Sequence, residues 1–173
     1  MKIRWLLAFF IPLSLAHAGV WDETTIGVRG GTSLNERSKT FRQVEAHLDF
    51  QLPWKWNLGE NFSVRSRLDT AAGWLRGDDQ DGFVGRVGPS LELWRRHFPL
   101  SLEGGSSPTY ISRYAFRERN YGVHFQFTTH IGLNWNVTEH VRFAYRYQHM
   151  SNAGIGTPNP GLNLHMLGLS YRF

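Results

Sequence analysis

Cysteine is absent from all 173 residues, so no disulfide can staple this chain. Long apolar runs are also missing. Nothing after the N-terminal region approaches the 18 consecutive apolar residues of a membrane-crossing helix. Charge of one sign is scarce: the formal net charge is +5. At the N-terminus, Lys2 and Arg4 precede an apolar run from Trp5 to Leu15, and Ala16-His17-Ala18 follows as a small-x-small cleavage pattern. That arrangement predicts a secretory signal peptide over residues 1–18. Setting Lys2 and Arg4 aside leaves 17 basic against 14 acidic residues, a balance that gives no argument for nucleic acid as a partner. About 155 residues remain, enough for one domain. An exported chain without disulfides must find its stability elsewhere.

What the sequence has is aromatics and alternation. Seven Trp, six Tyr and 12 Phe accompany a negative mean hydropathy, which fits strands with one apolar and one polar face. The clearest segment runs from Val123 to Val137. Val123, Phe125, Phe127, Ile131, Leu133 and Trp135 fall on one parity, and His124, Gln126, Thr128, His130, Asn134 and Asn136 on the other. Successive side chains of a strand point to opposite faces, and a 3.6-residue helical period does not describe this run. The pattern recurs over Phe41–Leu52, Phe62–Trp74, Phe83–Leu93 and Val141–Tyr147, and in the terminal Leu167, Leu169, Tyr171, Phe173 series. Less regular strands are expected over Thr24–Ser33 and Leu100–Arg113.

Eight strands predict an all-β fold: an eight-stranded antiparallel transmembrane β-barrel of the outer membrane, formed by residues 19–173, with a polar interior filled by side chains. A soluble β-sandwich with one wet face is the competing fold. It does not explain apolar faces on nearly every strand together with an aromatic terminal residue and a signal peptide. Expected periplasmic turns are Pro53–Glu60, Arg96–Pro99 and Thr138–Glu139. Expected outer loops are Leu34–Thr40, Gly77–Asp81, Tyr114–Tyr121 and Asn152–Leu162.

Parity also locates candidate chemistry. Extending the outward series Val141, Phe143, Tyr145, Tyr147 reaches His149 and then Ser151. Counting back from Phe173 through Tyr171, Leu169 and Leu167 reaches His165 and then Asn163. His149, Ser151 and Asn163 are therefore predicted on the outer face near the extracellular rim, where polar groups are costly. A serine beside a neutral imidazole can be a nucleophile with its general base. From spacing alone, the blander reading stands ahead: both side chains simply lie at the level of the polar headgroups.

The stretch His149-Met150-Ser151-Asn152-Ala153-Gly154, followed by Pro158-Asn159-Pro160-Gly161 and a short strand ending in Phe173, resembles the lipid A 3-O-deacylase (PagL) family. The motif likeness covers about the last 30 residues. Length, signal peptide and strand pattern extend it over the chain. The resemblance implies an esterase acting on lipid A of lipopolysaccharide, with no cofactor and no metal. Ser151 would attack the ester carbonyl at position 3 of a glucosamine, and His149 would act as base and then as acid. Gly154 N–H and the Asn159 side chain, with Asn152 nearby, would form the oxyanion hole. The family pattern has a glutamate twelve residues after the serine to orient the histidine, and here that position is Asn163. An amide oxygen can accept the imidazole N–H but offers no full negative charge. An Asp-to-Asn change in a serine-protease triad costs about 10⁴ in kcat, largely through the wrong tautomer. A smaller loss is expected where the amide is turned correctly.

Other features carry less. His47, His124 and His130 have inward parity and are read as members of a hydrogen-bonded interior rather than metal ligands. Gly77–Gly82 is read as an acidic turn, since it lacks the glutamate of a calcium loop. Arg113, Arg117 and Arg119 are candidates for gripping lipid A phosphates or are ordinary loop arginines. Trp54, Trp56, Trp94 and Trp135 are read as interfacial belt residues. Two further functional readings are an inert barrel serving adhesion or membrane structure, which Asn163 favours, and a lipid A acyltransferase, which would place its reactive pair inside the barrel. The sequence leaves open a homodimer.

Overall fold

The computed structural model describes residues 23–33, 40–117 and 119–173. The signal-peptide expectation for residues 1–18 and nearly all of the Leu34–Thr40 loop lie outside the described residues. Ten strands follow in chain order: β1 (Thr25–Thr32), β2 (Arg42–Leu58), β3 (Phe62–Gly77), β4 (Gln80–Arg95), β5 (Leu100–Ile111), β6 (Ala115–Phe116), β7 (Arg119–Asn120), β8 (Phe125–Asn136), β9 (Val141–Ser151) and β10 (Leu162–Arg172). Eight of them close into a barrel in the order β1-β10-β9-β8-β5-β4-β3-β2, with every neighbouring pair antiparallel. β6 and β7 make a small hairpin inside the β5–β8 connection. No helix among the described residues is long and apolar enough to cross a membrane.

The pleat sorts side chains as the alternation requires, and it sorts them inside out relative to a water-soluble protein. Leu167 is 70% exposed, and Val28, Ile131, Leu133 and Phe143 also point outward. Arg146 is 2% exposed in the interior. Closure removes the sheet edges, so each of the eight barrel strands finds backbone partners on both sides without help from solvent.

Charges inside such a barrel must be paired, and here three arginines meet three carboxylates. Asp69 receives Arg146 at 2.6 Å and Arg29 at 3.3 Å, with Arg86 at 3.5 Å. Glu45 receives Arg29 at 3.0 Å and Arg86 at 2.7 Å. Glu103 receives Arg146 at 2.7 Å. Six strands contribute to this cluster, so it cross-braces the barrel wall. A second group lies toward the chain termini, where Glu92 takes Arg142 at 3.1 Å and Arg67 at 3.6 Å.

The interior is not polar throughout, as the strand pattern had implied. Near the β9–β10 loop it is closed by an apolar plug that includes Phe41, Leu75, Ile111, Met150, Leu164 and Met166. The β6–β7 hairpin, which sequence reading left as plain loop, adds Phe116 and Tyr121 to it. Many inward positions close to the loops are thus filled by aliphatic and phenylalanine side chains that need no hydrogen-bond partner.

Three further expectations are corrected. Pro53–Glu60 is not a turn: β2 continues to Leu58 and the reversal occupies Gly59–Asn61. The pairing register shifts between Gln51 and Lys55, and this irregularity accommodates Pro53, which has no N–H for the ladder. Trp94 is not a belt residue. It shares the inward parity of Glu92, and its ring is covered by the guanidinium groups of Arg65 at 4.6 Å, Arg142 at 5.4 Å and Arg172 at 5.9 Å. Trp54, Trp56 and Trp135 do face outward. The expected outer loop at Gly77–Asp81 shrinks to a two-residue turn at Asp78 and Asp79, both with positive φ, a conformation suited to hairpin reversal.

Removing one member of the central cluster should expose its cost. Arg146→Met leaves Asp69 and Glu103 short of a cation, and a loss of about 3–5 kcal/mol is expected. Urea unfolding of the barrel in lipid vesicles, followed by tryptophan fluorescence, checks it.

Candidate active site

The end of β9 and the start of β10 bring the sequence-predicted residues together. Met150 points into the apolar plug at 2% exposure, which fixes His149 and Ser151 on the opposite, outer face. Leu162 and Leu164 do the same for β10, leaving Asn163 outward between them. The antiparallel register sets Asn163 directly across from His149. His149 Nδ1 and Asn163 Oδ1 are 2.7 Å apart. An amide oxygen only accepts, so the imidazole donates from Nδ1 and keeps the Nε2 lone pair available as a base. His149 is exposed, while Ser151 and Asn163 are half-buried.

Ser151 lies two positions beyond His149 on the same face, opposite Phe127 of β8. Among the described residues Ser151 Oγ makes no hydrogen bond, so the serine and the imidazole are neighbours without being bonded. Such contacts are often loose before substrate arrives.

The loop between the strands is fastened by Asn152, which is 0% exposed. Its Nδ2 donates to the carbonyls of Tyr121 at 2.9 Å, Gly156 at 3.0 Å and Pro158 at 3.1 Å. Its Oδ1 accepts Gly154 N–H at 2.9 Å, and its own N–H donates to Asn159 Oδ1 at 3.0 Å. The three oxyanion candidates therefore separate. Asn152 spends its side chain on bonds inside the loop and to the Tyr121 carbonyl. Gly154 N–H is held by Asn152 in this structure. Asn159 is exposed, and with its oxygen fixed, its amide N–H groups remain for a ligand.

Several supporting residues escaped sequence reading. Gly161 has φ of +66°, and a Cβ placed there would lie 2.7 Å from His149 Cε1. Only a residue without a side chain allows the imidazole its place. Arg119, read either as a phosphate contact or as an ordinary loop arginine, donates from Nη2 to Gly161 O at 2.6 Å. The Tyr121 carbonyl anchors Asn152, and burial pushes the Tyr121 phenol above the usual tyrosine range. The Pro-Asn-Pro-Gly run was the only signal for this part, and it announces a turn, not what the turn touches.

The remaining candidates disperse. His124 bonds Ile111 O at 2.7 Å, His47 meets Asp49 at 3.1 Å, and His130 is buried in the barrel. No group of three metal-ligating side chains forms among the described residues. Arg113 donates to Asp81 O at 3.0 Å. On the outer face, an apolar depression of about 500 Å³ is lined by Val28, Gly30, Leu133, Phe143, Leu167 and Leu169, among others. It includes residues of β9, the strand that carries His149 and Ser151, and of β10, which carries Asn163.

Comparison with known proteins gives a consistent picture. The profile of the lipid A 3-O-deacylase (PagL) family matches residues 42–172. The lipid A deacylase PagL of Bordetella bronchiseptica is 30% identical over 169 residues, covering 94% of this chain and 93% of that protein. Among solved structures, the outer membrane enzyme PagL superposes with a TM-score of 0.73 at 17% identity, over 86% of this chain and 99% of that one. The Yersinia pestis outer membrane protein Ail superposes with a TM-score of 0.51 at 15% identity, over 88% and 99%. The two structural likenesses speak for the fold alone.

Asn152→Ala should unfasten the loop at once, since three carbonyls, that of Tyr121 buried and those of Gly156 and Pro158 partly so, lose their donor. A loss of about 3 kcal/mol is expected, together with faster proteolytic nicking between Asn152 and Gly161. Limited proteolysis of the purified barrel measures both effects against the parent protein.

Proposed function

Because this chain belongs to the lipid A 3-O-deacylase family, we propose that it is an outer-membrane esterase that removes the 3-O-linked acyl chain of lipid A by a serine–histidine mechanism, from a site open to the outer leaflet. The observation that carries this reading is the 2.7 Å bond between His149 and Asn163 on the outward face, beside Ser151. A polar assembly facing hydrocarbon is expensive, and a lipid ester is the substrate such a placement meets directly.

In the proposed reaction, His149 Nε2 takes the Ser151 proton as Oγ attacks the ester carbonyl carbon. The tetrahedral oxyanion is met by the Asn159 amide N–H, and by Gly154 N–H once substrate draws it from Asn152. Donors held in a fastened loop need little reorganisation. Collapse breaks the bond to the sugar oxygen, which leaves with the proton from His149. Water then gives its proton to His149 and attacks the acyl-enzyme, releasing the fatty acid and restoring the serine hydroxyl. The apolar depression under β9 and β10 is the place for the acyl chain. Asn163 fixes the tautomer without stabilising the imidazolium by charge.

Lipid A from cells expressing this chain, compared by mass spectrometry with a Ser151→Ala control, tests the reading. Loss of one 3-hydroxyacyl group with the parent chain only is the expected result, and unchanged lipid A in the presence of folded, surface-located parent protein contradicts it. Asn159→Ala should lower kcat by about 10²-fold. Asn163→Glu should raise kcat, because a carboxylate adds charge to an orientation already in place. Single-turnover assays in mixed micelles measure both.

A further inference from the structure

We infer that Arg119 is a positioning residue for His149, acting through the backbone of Gly161 and supplying by packing an orientation that a carboxylate would supply by charge. The inference rests on the serine–histidine reading above. Three observations carry it. Arg119 Nη2 donates to Gly161 O at 2.6 Å and reaches Pro160 O at 3.4 Å. Hydrogen bonds from an ionised donor are roughly twice as strong as neutral ones, so this is the firmest tether on that side of the loop. The Gly161 backbone in turn lies against the imidazole edge, where a Cβ would come to 2.7 Å from Cε1.

His149 therefore has two supports. Asn163 holds Nδ1 through a bond between neutral groups, which resists rotation of the ring less than a carboxylate does. Gly161 forms a wall beside Cε1 and limits the swing that remains. The wall borders residues 157–160, which are exposed, and a loop so placed is mobile unless tied. Arg119 itself is well rooted. It lies in β7, its guanidinium is 5.8 Å from the Tyr121 ring centroid, and Tyr121 is 1% exposed in the apolar plug. The line of contacts runs from plug to arginine to glycine to imidazole. Both carbonyls are met by the single nitrogen Nη2, which the rigid guanidinium plane beside Tyr121 holds in place, whereas the ammonium of lysine is a point charge on a flexible stem.

The test measures kcat and KM on lipid A in mixed micelles for Arg119→Ala and Arg119→Lys, each also in an Asn163→Glu background, with heat-modifiable gel migration as the check of folding. Arg119→Ala should lower kcat about tenfold with KM changed less than about twofold, and lysine should recover part of the loss. In the Asn163→Glu background the same change should cost less than about threefold, because the carboxylate then orients the ring unaided. A mere loop fastener would give equal losses in both backgrounds, and that result overturns the inference, as does an unchanged kcat. Should Arg119→Ala not fold, Gly161→Ala reports on the same wall from the other side. Its added methyl should displace the ring and lower kcat more than about tenfold in the parent background, and full activity would sink the inference. A parent protein no more active than Ser151→Ala defeats the serine–histidine reading itself, whereas an active parent with indifferent Arg119 variants defeats only this one.

Discussion

In a closed barrel the pleat offers each side chain one of two directions, inward or outward, and nothing between. Every other feature of this protein follows from that constraint. The outward set is apolar because its surroundings are, with Leu167 and Val28 standing where a soluble protein would place charge. The inward set is polar through the middle of the barrel, and its charges persist only because Asp69, Glu45 and Glu103 are matched by Arg29, Arg86 and Arg146. Toward the loops, many of the inward positions turn apolar and form a plug.

That plug is what allows a site on the outside. Met150, Leu162 and Leu164 lock the ends of β9 and β10 to the interior, and their lockstep forces His149, Ser151 and Asn163 to the opposite face. The β5–β8 connection contributes as well. Through the Tyr121 carbonyl and Arg119 it ties down the loop that carries Asn159 and Gly161. The candidate site is thus assembled from two strand ends and supported by the β5–β8 connection, an arrangement that holds side chains on rigid elements.

The barrel and the outward placement of His149, Ser151 and Asn163 were legible because a period of two is a strong and local signal. Counting from Tyr147 to His149, or back from Tyr171 to Asn163, needs no knowledge of the third dimension. What could not be counted was anything that depends on contact between segments distant in sequence. The Arg119–Gly161 bond spans 42 residues, and Asn152 reaches Tyr121 across 31. Neither leaves a trace in either segment alone. The Pro53 region misled because proline and polar residues usually mark turns, whereas here a register irregularity absorbs the proline and the strand goes on. Trp94 misled because aromatic residues near strand ends usually form a belt. Its own parity, shared with Glu92, pointed the other way. The departure at Asn163 was visible as a substitution, but its 2.7 Å bond to His149 required the register between β9 and β10.

The proposed catalysis requires Ser151 as the nucleophile and His149 as its base. Treating the purified barrel with a long-chain alkyl fluorophosphonate and mapping the adduct by peptide mass spectrometry addresses both residues together. The account predicts one adduct, on Ser151, that disappears in Ser151→Ala and forms far more slowly in His149→Ala. An adduct on another residue, or labelling of Ser151 that is indifferent to His149, would contradict it.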